Sequence, residues 1–253
     1  MRRSMAVVFR VVFVRHGETN ANKEHRIQGH LDIPLSSRGE KQATLAGKSL
    51  SEHKFSRAYA SDLQRAYATC ERILEQNTCG PPTIKEDAKL RERNFGSVEG
   101  LHIDEVKSMA TAEGLTWPQY NPPGAETLGV LQERMVCFFK ELCQSVFDKN
   151  KQARIDIIQE NQNEDLVSGE KLQQLEEKDA VERILVVSHG AALKQLYAHF
   201  HKTLECPLPG DTDILSRISP NTGISEYVVQ YSPKKYYLRC VRIHDENHLQ
   251  GLS

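Results

Sequence analysis

Two histidines hold equivalent places in the sequence, each at the end of a short apolar run. His16 follows VVFVR and His189 follows LVVS, and each is followed by a glycine. Both runs are rich in β-branched residues and have the length of a buried strand. Ligands of α/β sheets bind outside the carboxyl ends of the strands, so we predict that the two imidazoles meet at one site. Gly190 would let a ligand or a neighbouring backbone approach closely.

The charged residues near these strand ends favour an anionic, tetrahedral ligand. Arg15 precedes His16, and Arg65 falls in the first turn of a predicted helix after the strand-like segment RAYAS. Cations stabilise the oxygens of a phosphoryl group during its transfer, and imidazole is a neutral nucleophile near pH 7. Glu92, flanked by arginines in a predicted loop, is the candidate proton donor to the leaving oxygen. The pattern predicts phosphoryl transfer through a histidine.

Each of these residues also has an ordinary interpretation. A histidine at the edge of a core often caps a loop, Arg65 is equally typical of a solvated helix charge, and Glu92 of a surface ion pair with a neighbouring arginine. We interpret His25 and His30, in the loop after the first strand, as solvated loop residues. The matching strand ends of the two histidine segments favour a catalytic site over the ordinary interpretations.

The elements that must position these side chains alternate along the chain. The predicted strands are 6–14, 57–61, 83–86 and the segment RILVVSHG, and the predicted helices are 37–52, capped by Ser36, then 62–76, 103–112, one from Leu128, and 191–200. Such alternation is typical of a mainly parallel sheet with helices on its faces. The last two runs, 224–231 and 234–243, are predicted to form a hairpin at the edge of the sheet.

Composition limits the class of protein. The 253 residues carry 33 basic and 34 acidic side chains, which argues against a nucleic-acid or membrane-surface binder. No apolar run approaches the roughly 20 residues of a membrane span. Six scattered cysteines predict free thiols in a reducing cytoplasm and no zinc cluster. We predict one domain over residues 1–253, with a polar, partly disordered insertion at about 148–180.

Six motifs carry a resemblance to a known family. RHGET, PLSSRGEKQA, ASDLQRA, LRERNFGSVEG, PPGAETL and VVSHGA follow one another in the order and approximate spacing of the histidine phosphatase superfamily, which has the phosphoglycerate-mutase-like fold. The resemblance covers almost the whole chain. It implies a three-layer α/β/α domain whose mostly parallel sheet has an antiparallel edge. It also implies a phosphohistidine mechanism that needs no metal or cofactor.

The resemblance assigns roles to individual residues. His16 would accept the phosphoryl group, which Arg15, Arg65 and His189 would bind, and Glu92 would be the proton donor and then the base that activates water. Two further substrate-binding roles are implied. Asn22 resembles an amide that binds the same phosphate, and Gly29 falls in a loop that approaches the substrate.

Within the superfamily, the pattern is similar to the bisphosphatase half of the bifunctional fructose-2,6-bisphosphate enzyme. This resemblance implies hydrolysis of fructose 2,6-bisphosphate and lower glycolytic flux. It also implies a link to apoptosis, and nuclear and mitochondrial locations besides the cytoplasm. A 2,3-bisphosphoglycerate phosphatase and a phosphoglycerate mutase are the alternatives, and an inactive scaffold is a third. The mutases place a lysine and an arginine pair after the acid loop, where this chain has Lys107 alone. Lys194 is a candidate contact for a second phosphate or an ordinary solvated lysine. Protein partners and oligomeric state stay open.

Overall fold

The computed structural model describes residues 6–117, 119–150, 180–210, 212–233 and 235–252. Within these residues a mixed sheet has six strands, in the order β3-β2-β4-β1-β5-β6. The strands are β1 Val7–Arg15, β2 Arg57–Ala60, β3 Ile84–Glu86, β4 Arg183–Ser188, β5 Ile224–Ser232 and β6 Lys235–Asp245.

The pairing of β1 with β4 determines where the site forms. The two strands are parallel and adjacent, and their last residues, Arg15 and Ser188, are register partners. β2 pairs in parallel with β4 and β3, whereas β5 and β6 pair antiparallel at the other side. The mostly parallel sheet, its antiparallel edge and the final hairpin are therefore confirmed.

Helices cover both faces of this sheet. The described helices are α1 Asn20–Lys23, α2 Ser37–Ser49, α3 Gln64–Glu75, α4 Ile103–Ala112, α5 Leu128–Lys149 and α6 Gly190–Ala198. Of these, α2 and α3 pack on one face of the sheet and α5 and α6 on the other. Alternate residues of β1 face opposite layers, as the two-residue period of a strand requires. Phe13 packs into a core with residues of α5 and α6, and Val12 into a core with residues of α2 and α3. The predicted three layers are confirmed.

Local signals placed most helix ends within a few residues. The Ser36 hydroxyl accepts a hydrogen bond from the Gly39 backbone at 3.0 Å, so the predicted cap is present. α2 ends at Ser49. α3 begins at Gln64, because Leu63 before it has the extended backbone angles φ −74° and ψ 128°. The loop after β1 also contains α1, which the sequence analysis missed because four residues are too few to show a helical period.

The predicted insertion overlaps the described residues only at its ends. Its first two residues, Asp148 and Lys149, belong to the last turn of α5, and residues 151–179 lie outside the described residues. The insertion and the single domain stay predictions. No helix of the described residues has the length and apolar character needed to cross a membrane.

Candidate active site

The carboxyl edge of the sheet brings the two predicted histidines together. Their ring centroids are 5.1 Å apart, and both residues are almost fully buried. The backbone N–H of His16 donates to the Ser188 carbonyl at 3.0 Å, which extends the β1–β4 pairing past the end of the strands. This pairing places residues separated by more than half the chain in one site.

The contacts of His16 determine which ring nitrogen can act as a nucleophile. Nδ1 lies 2.7 Å from the Gly17 carbonyl oxygen. Because a carbonyl only accepts, Nδ1 carries the proton and Nε2 carries the free lone pair. The buried Thr69 hydroxyl accepts from the Gly17 N–H at 2.9 Å and donates to the Arg65 carbonyl at 2.7 Å, which holds that peptide in place.

The electrostatics of the site keep both imidazoles neutral. Burial lowers the pKa of His16 well below the ordinary value of 6.5, and the positive charges of Arg65 and Arg15 lower it further. Burial lowers the pKa of His189 in the same way, with Arg65 the largest charge contribution. A neutral ring at physiological pH is the form that a nucleophilic histidine requires.

We expect the His16 ring to stay neutral as the pH falls below 6.5. Imidazolium is disfavoured by burial and by two guanidiniums, so the folded protein takes up this proton only at a pH well below 6.5. In the unfolded chain the ring takes up a proton near pH 6.5. The neutral His16 ring therefore contributes fully to the free energy of unfolding above pH 6.5, and this contribution is lost as the pH falls below that value. Long-range proton–nitrogen NMR at about pH 6, with His16→Asn for assignment, should show a neutral ring protonated at Nδ1. Titration centred near 6.5 would contradict this expectation.

His189 presents two unsatisfied polar atoms to the site. Both ring nitrogens are buried and have no hydrogen-bond partner within the described residues. The residue is the N-cap of α6, yet its side chain makes no capping bond. Buried polar atoms without partners are costly, so a ligand that hydrogen-bonds His189 would relieve that cost.

The two predicted arginines are partly committed to the backbone. Arg15 Nη1 donates to the Ser219 carbonyl at 2.7 Å. Arg65 is fully buried, and its terminal nitrogens donate to the carbonyls of Leu31 and Gly29 at 2.7 and 2.8 Å. Burial lowers the pKa of Arg65 to about 10, so the group stays charged near neutral pH. The Nε atoms of both arginines are buried without a described partner, which leaves a donor on each for an anion.

Both glycines predicted near the substrate have a packing reason. Gly29 has φ +52°, and a Cβ built on it would overlap the Glu99 carboxylate. Its carbonyl accepts a hydrogen bond from Arg65 Nη2 at 2.8 Å. A Cβ on Gly190 would lie 2.6 Å from Ile218 Cγ2, whereas its 3.4 Å distance from Arg15 Nε would be an ordinary contact. Gly190 therefore allows the close approach of the Ile218 side chain.

The Glu92 carboxylate lies at the N-terminus of α6. Its oxygens accept from the backbone N–H groups of Ala191 and Ala192, both at 3.0 Å, and from Arg93 at 2.9 Å. The negative charge raises the pKa of Arg15 and of Arg65, which opposes the effect of their burial. Glu92 is therefore part of the same electrostatic site as the arginines.

The neighbouring arginines of Glu92 have other partners. Arg91 forms a two-pronged ion pair with Asp62 at 2.6 and 2.8 Å. Arg93 is buried and donates to the Asn121 side chain and the Glu126 carbonyl. The interpretation of Glu92 as a surface ion pair with an adjacent arginine is wrong, because each arginine points to a different element.

Asn22 and Lys194 both have contacts within the protein. The Asn22 amide oxygen accepts from the N–H and hydroxyl of Thr19, at 3.2 and 3.1 Å, so its NH₂ group is the end available as a donor. The Lys194 ammonium donates to the Ser216 carbonyl. That bond uses one of the three N–H groups of the ammonium. The lysine is half-buried and is not fully solvated.

Sequence reasoning missed several residues that hold the site. Asn221 Nδ2 donates to the His16 carbonyl at 3.0 Å, from the segment SPNTGIS. His30 is half-buried and its Nε2 donates to the Glu92 carbonyl at 2.9 Å, so its interpretation as a solvated loop residue is wrong. His25 is exposed, as expected. The His30 contact spans 62 residues, and no local pattern signals it.

Comparison with known proteins agrees with this geometry. The family model "Histidine phosphatase superfamily (branch 1)" matches residues 11–152. The fructose-2,6-bisphosphatase TIGAR of Mus musculus is 35% identical over 97% of this chain and 97% of its own. TIGAR B of Danio rerio is 34% identical over 94% and 93%.

Solved structures share the fold at lower identity. A phosphoglycerate mutase from Bacillus anthracis superposes with a TM-score of 0.70 at 22% identity and covers 98% of each chain. A mycobacterial glucosyl-3-phosphoglycerate phosphatase gives 0.69 at 23% identity, over 92% of this chain and 98% of its own. These neighbours confirm the phosphoglycerate-mutase-like fold. Since the family model spans more than half of the chain and curated relatives match nearly all of it, the chain belongs to the histidine phosphatase superfamily.

Proposed function

We propose that this protein is a phosphatase that hydrolyses a phosphate monoester of a small glycolytic bisphosphate, fructose 2,6-bisphosphate above all, through a phosphohistidine at His16. One observation carries the proposal. The Nε2 lone pair of His16 lies in a buried site with two arginines and with a second histidine, His189, whose ring nitrogens have no hydrogen-bond partner in the described part of the chain. Such a site supplies a nucleophile and several donors for one phosphoryl group.

In the first step, His16 Nε2 attacks phosphorus and the bond to the leaving oxygen breaks. Arg15 and Arg65 offer their Nε–H groups to the transferring oxygens, together with one His189 ring N–H and the Asn22 NH₂ group. The leaving oxygen takes its proton from Glu92.

In the second step, water attacks the phosphohistidine. The Glu92 carboxylate accepts a proton from the water as the new P–O bond forms, and the P–N bond breaks. The electron pair of the P–N bond returns to His16 Nε2, and inorganic phosphate leaves. One carboxyl group thus serves as acid and then as base, which restores the starting protonation state.

The relatives named fructose-2,6-bisphosphatase support the choice of substrate. Lys194 supports binding of a second phosphate. Its ammonium has three N–H groups, and the bond to the Ser216 carbonyl uses one of them. The mutases place a lysine and an arginine pair after the acid loop, where this chain has Lys107 without the arginines. Lys107 is exposed and paired with Asp104 at 3.0 Å, so a mutase reaction is disfavoured. A 2,3-bisphosphoglycerate phosphatase is the second candidate.

We expect the highest kcat/KM with fructose 2,6-bisphosphate in a comparison that includes 2,3-bisphosphoglycerate and the phosphoglycerate monoesters. Phosphate release from each compound is measured with wild-type protein, with His16→Ala as the background. Higher efficiency with 2,3-bisphosphoglycerate would replace the preferred substrate with the second candidate. Interconversion of phosphoglycerates faster than phosphate release would favour the mutase.

We also propose a cytoplasmic location; the nucleus, the mitochondrion and a link to apoptosis, which the family resemblance implies, stay predictions. The support is the set of six cysteines, all free thiols in the structure, as expected of a protein in a reducing compartment. Imaging of the tagged full chain tests this proposal.

A further inference from the structure

The backbone that leads to Glu92 is held by one arginine from a distant helix. Arg134, on α5, donates from Nη1 to the carbonyls of Lys89 and Arg91 at 2.7 and 3.0 Å. Its Nη2 donates to the carbonyl of Glu92 itself at 3.2 Å. Three of the four peptide carbonyls from Lys89 to Glu92 therefore accept from the same guanidinium.

A carboxylate fixes this guanidinium in turn. Glu126 accepts from Arg134 Nε at 2.9 Å and from Nη2 at 2.8 Å, and both side chains are largely shielded from solvent. With these two bonds and the three carbonyls, all five N–H donors of Arg134 are used. The Glu126 backbone carbonyl also accepts from Arg93 Nε, which ties the residue after Glu92 to the same point.

The remaining carbonyl of the segment is held from the sheet. The Ser188 hydroxyl, at the end of β4, donates to the Leu90 carbonyl at 2.8 Å. Ser188 precedes His189, so the segment is bound both to the histidine strand and to Arg134. With its backbone held in this way, the Glu92 side chain reaches the N–H groups of Ala191 and Ala192 in the first turn of α6.

We propose that Arg134 is a positioning residue that sets the place of the Glu92 carboxyl group relative to the leaving oxygen. The inference rests on the proposed role of Glu92 as acid and base. A planar fork with five donors can bind three carbonyls and a carboxylate together, whereas a lysine ammonium has three donors and cannot reproduce that geometry. Misplacement of a catalytic group by about 1 Å can cost ~100-fold in rate.

The test separates positioning from a general loss of structure by varying the leaving group. A sugar phosphate needs a proton on its leaving oxygen, whereas p-nitrophenyl phosphate releases a stable phenolate. For Arg134→Gln, phosphoenzyme formation from fructose 2,6-bisphosphate should slow by roughly 10- to 100-fold. The same step with p-nitrophenyl phosphate should change by less than about 3-fold, and Arg134→Lys should fall between wild type and Arg134→Gln.

Two controls keep the outcome interpretable. Arg72→Lys changes an exposed arginine paired with Glu75 and should leave both rates unchanged. The double variant Arg134→Gln/Glu92→Gln should be no slower than Glu92→Gln alone, because a residue that acts through Glu92 has nothing left to position. Equal losses with both leaving groups, or additive losses in the double variant, would overturn the proposal. A wild-type protein that forms no phosphoenzyme would instead refute the proposed function.

Discussion

Replacing His16 with alanine should abolish the phosphoenzyme and reduce phosphate release by at least ~10⁴-fold. The change removes the atom that forms the covalent bond, and no other described nitrogen of the site has the same character. His189 is equally buried, but it lies at the start of α6 and lacks the carbonyl contact that fixes the His16 tautomer. Water would have to attack the substrate directly, without the activation that a positioned imidazole supplies.

The measurement is a quench of the reaction with labelled bisphosphate. Phosphohistidine is labile in acid and stable in base, so the label on wild-type protein should be lost in acid and retained in base. His25→Ala is the matched control, since His25 is an exposed histidine of the following loop. It should retain full labelling. Undiminished label in His16→Ala would exclude His16 as the nucleophile. A wild-type protein without turnover on any phosphate ester, together with intact partner binding, would favour the scaffold alternative.

Glu92→Gln should lower turnover on fructose 2,6-bisphosphate by ~10²- to 10⁴-fold. The amide can neither supply the proton to the leaving oxygen nor accept one from water. Both half-reactions should slow. A substrate with a good leaving group should isolate the second, in which water hydrolyses the phosphohistidine. With p-nitrophenyl phosphate the first step needs no acid, so the phosphoenzyme should form at near the wild-type rate and then accumulate.

Rapid mixing with p-nitrophenyl phosphate measures this behaviour. A burst of p-nitrophenolate close to one equivalent, followed by a slow steady rate, is the expected result for Glu92→Gln. Glu75→Gln removes an exposed carboxylate at the end of α3 and should behave as wild type. A Glu92→Gln protein that turns over both substrates normally would show that another group moves the proton.

Much of the scaffold could be predicted because its signals are local. The apolar run of β1 and the cap at Ser36 each lie within a few neighbouring residues, and burial and backbone bonding follow directly from them. Errors occurred where the local signal was short or absent. Helix α1 has four residues, and α2 ends at Ser49, three residues before its predicted end at 52.

The sequence by itself determined which residue types are available for phosphoryl transfer, and the fold class that places two strand-end histidines at one edge. Only the tertiary structure decided how those residues work together. Arg65 holds the loop that contains His30, His30 contacts the backbone of Glu92, and Arg134 holds the same backbone from α5. The reason is physical. A strand or helix arises from neighbours in sequence, whereas these hydrogen bonds join residues 36 to 62 positions apart and exist only once the core has packed.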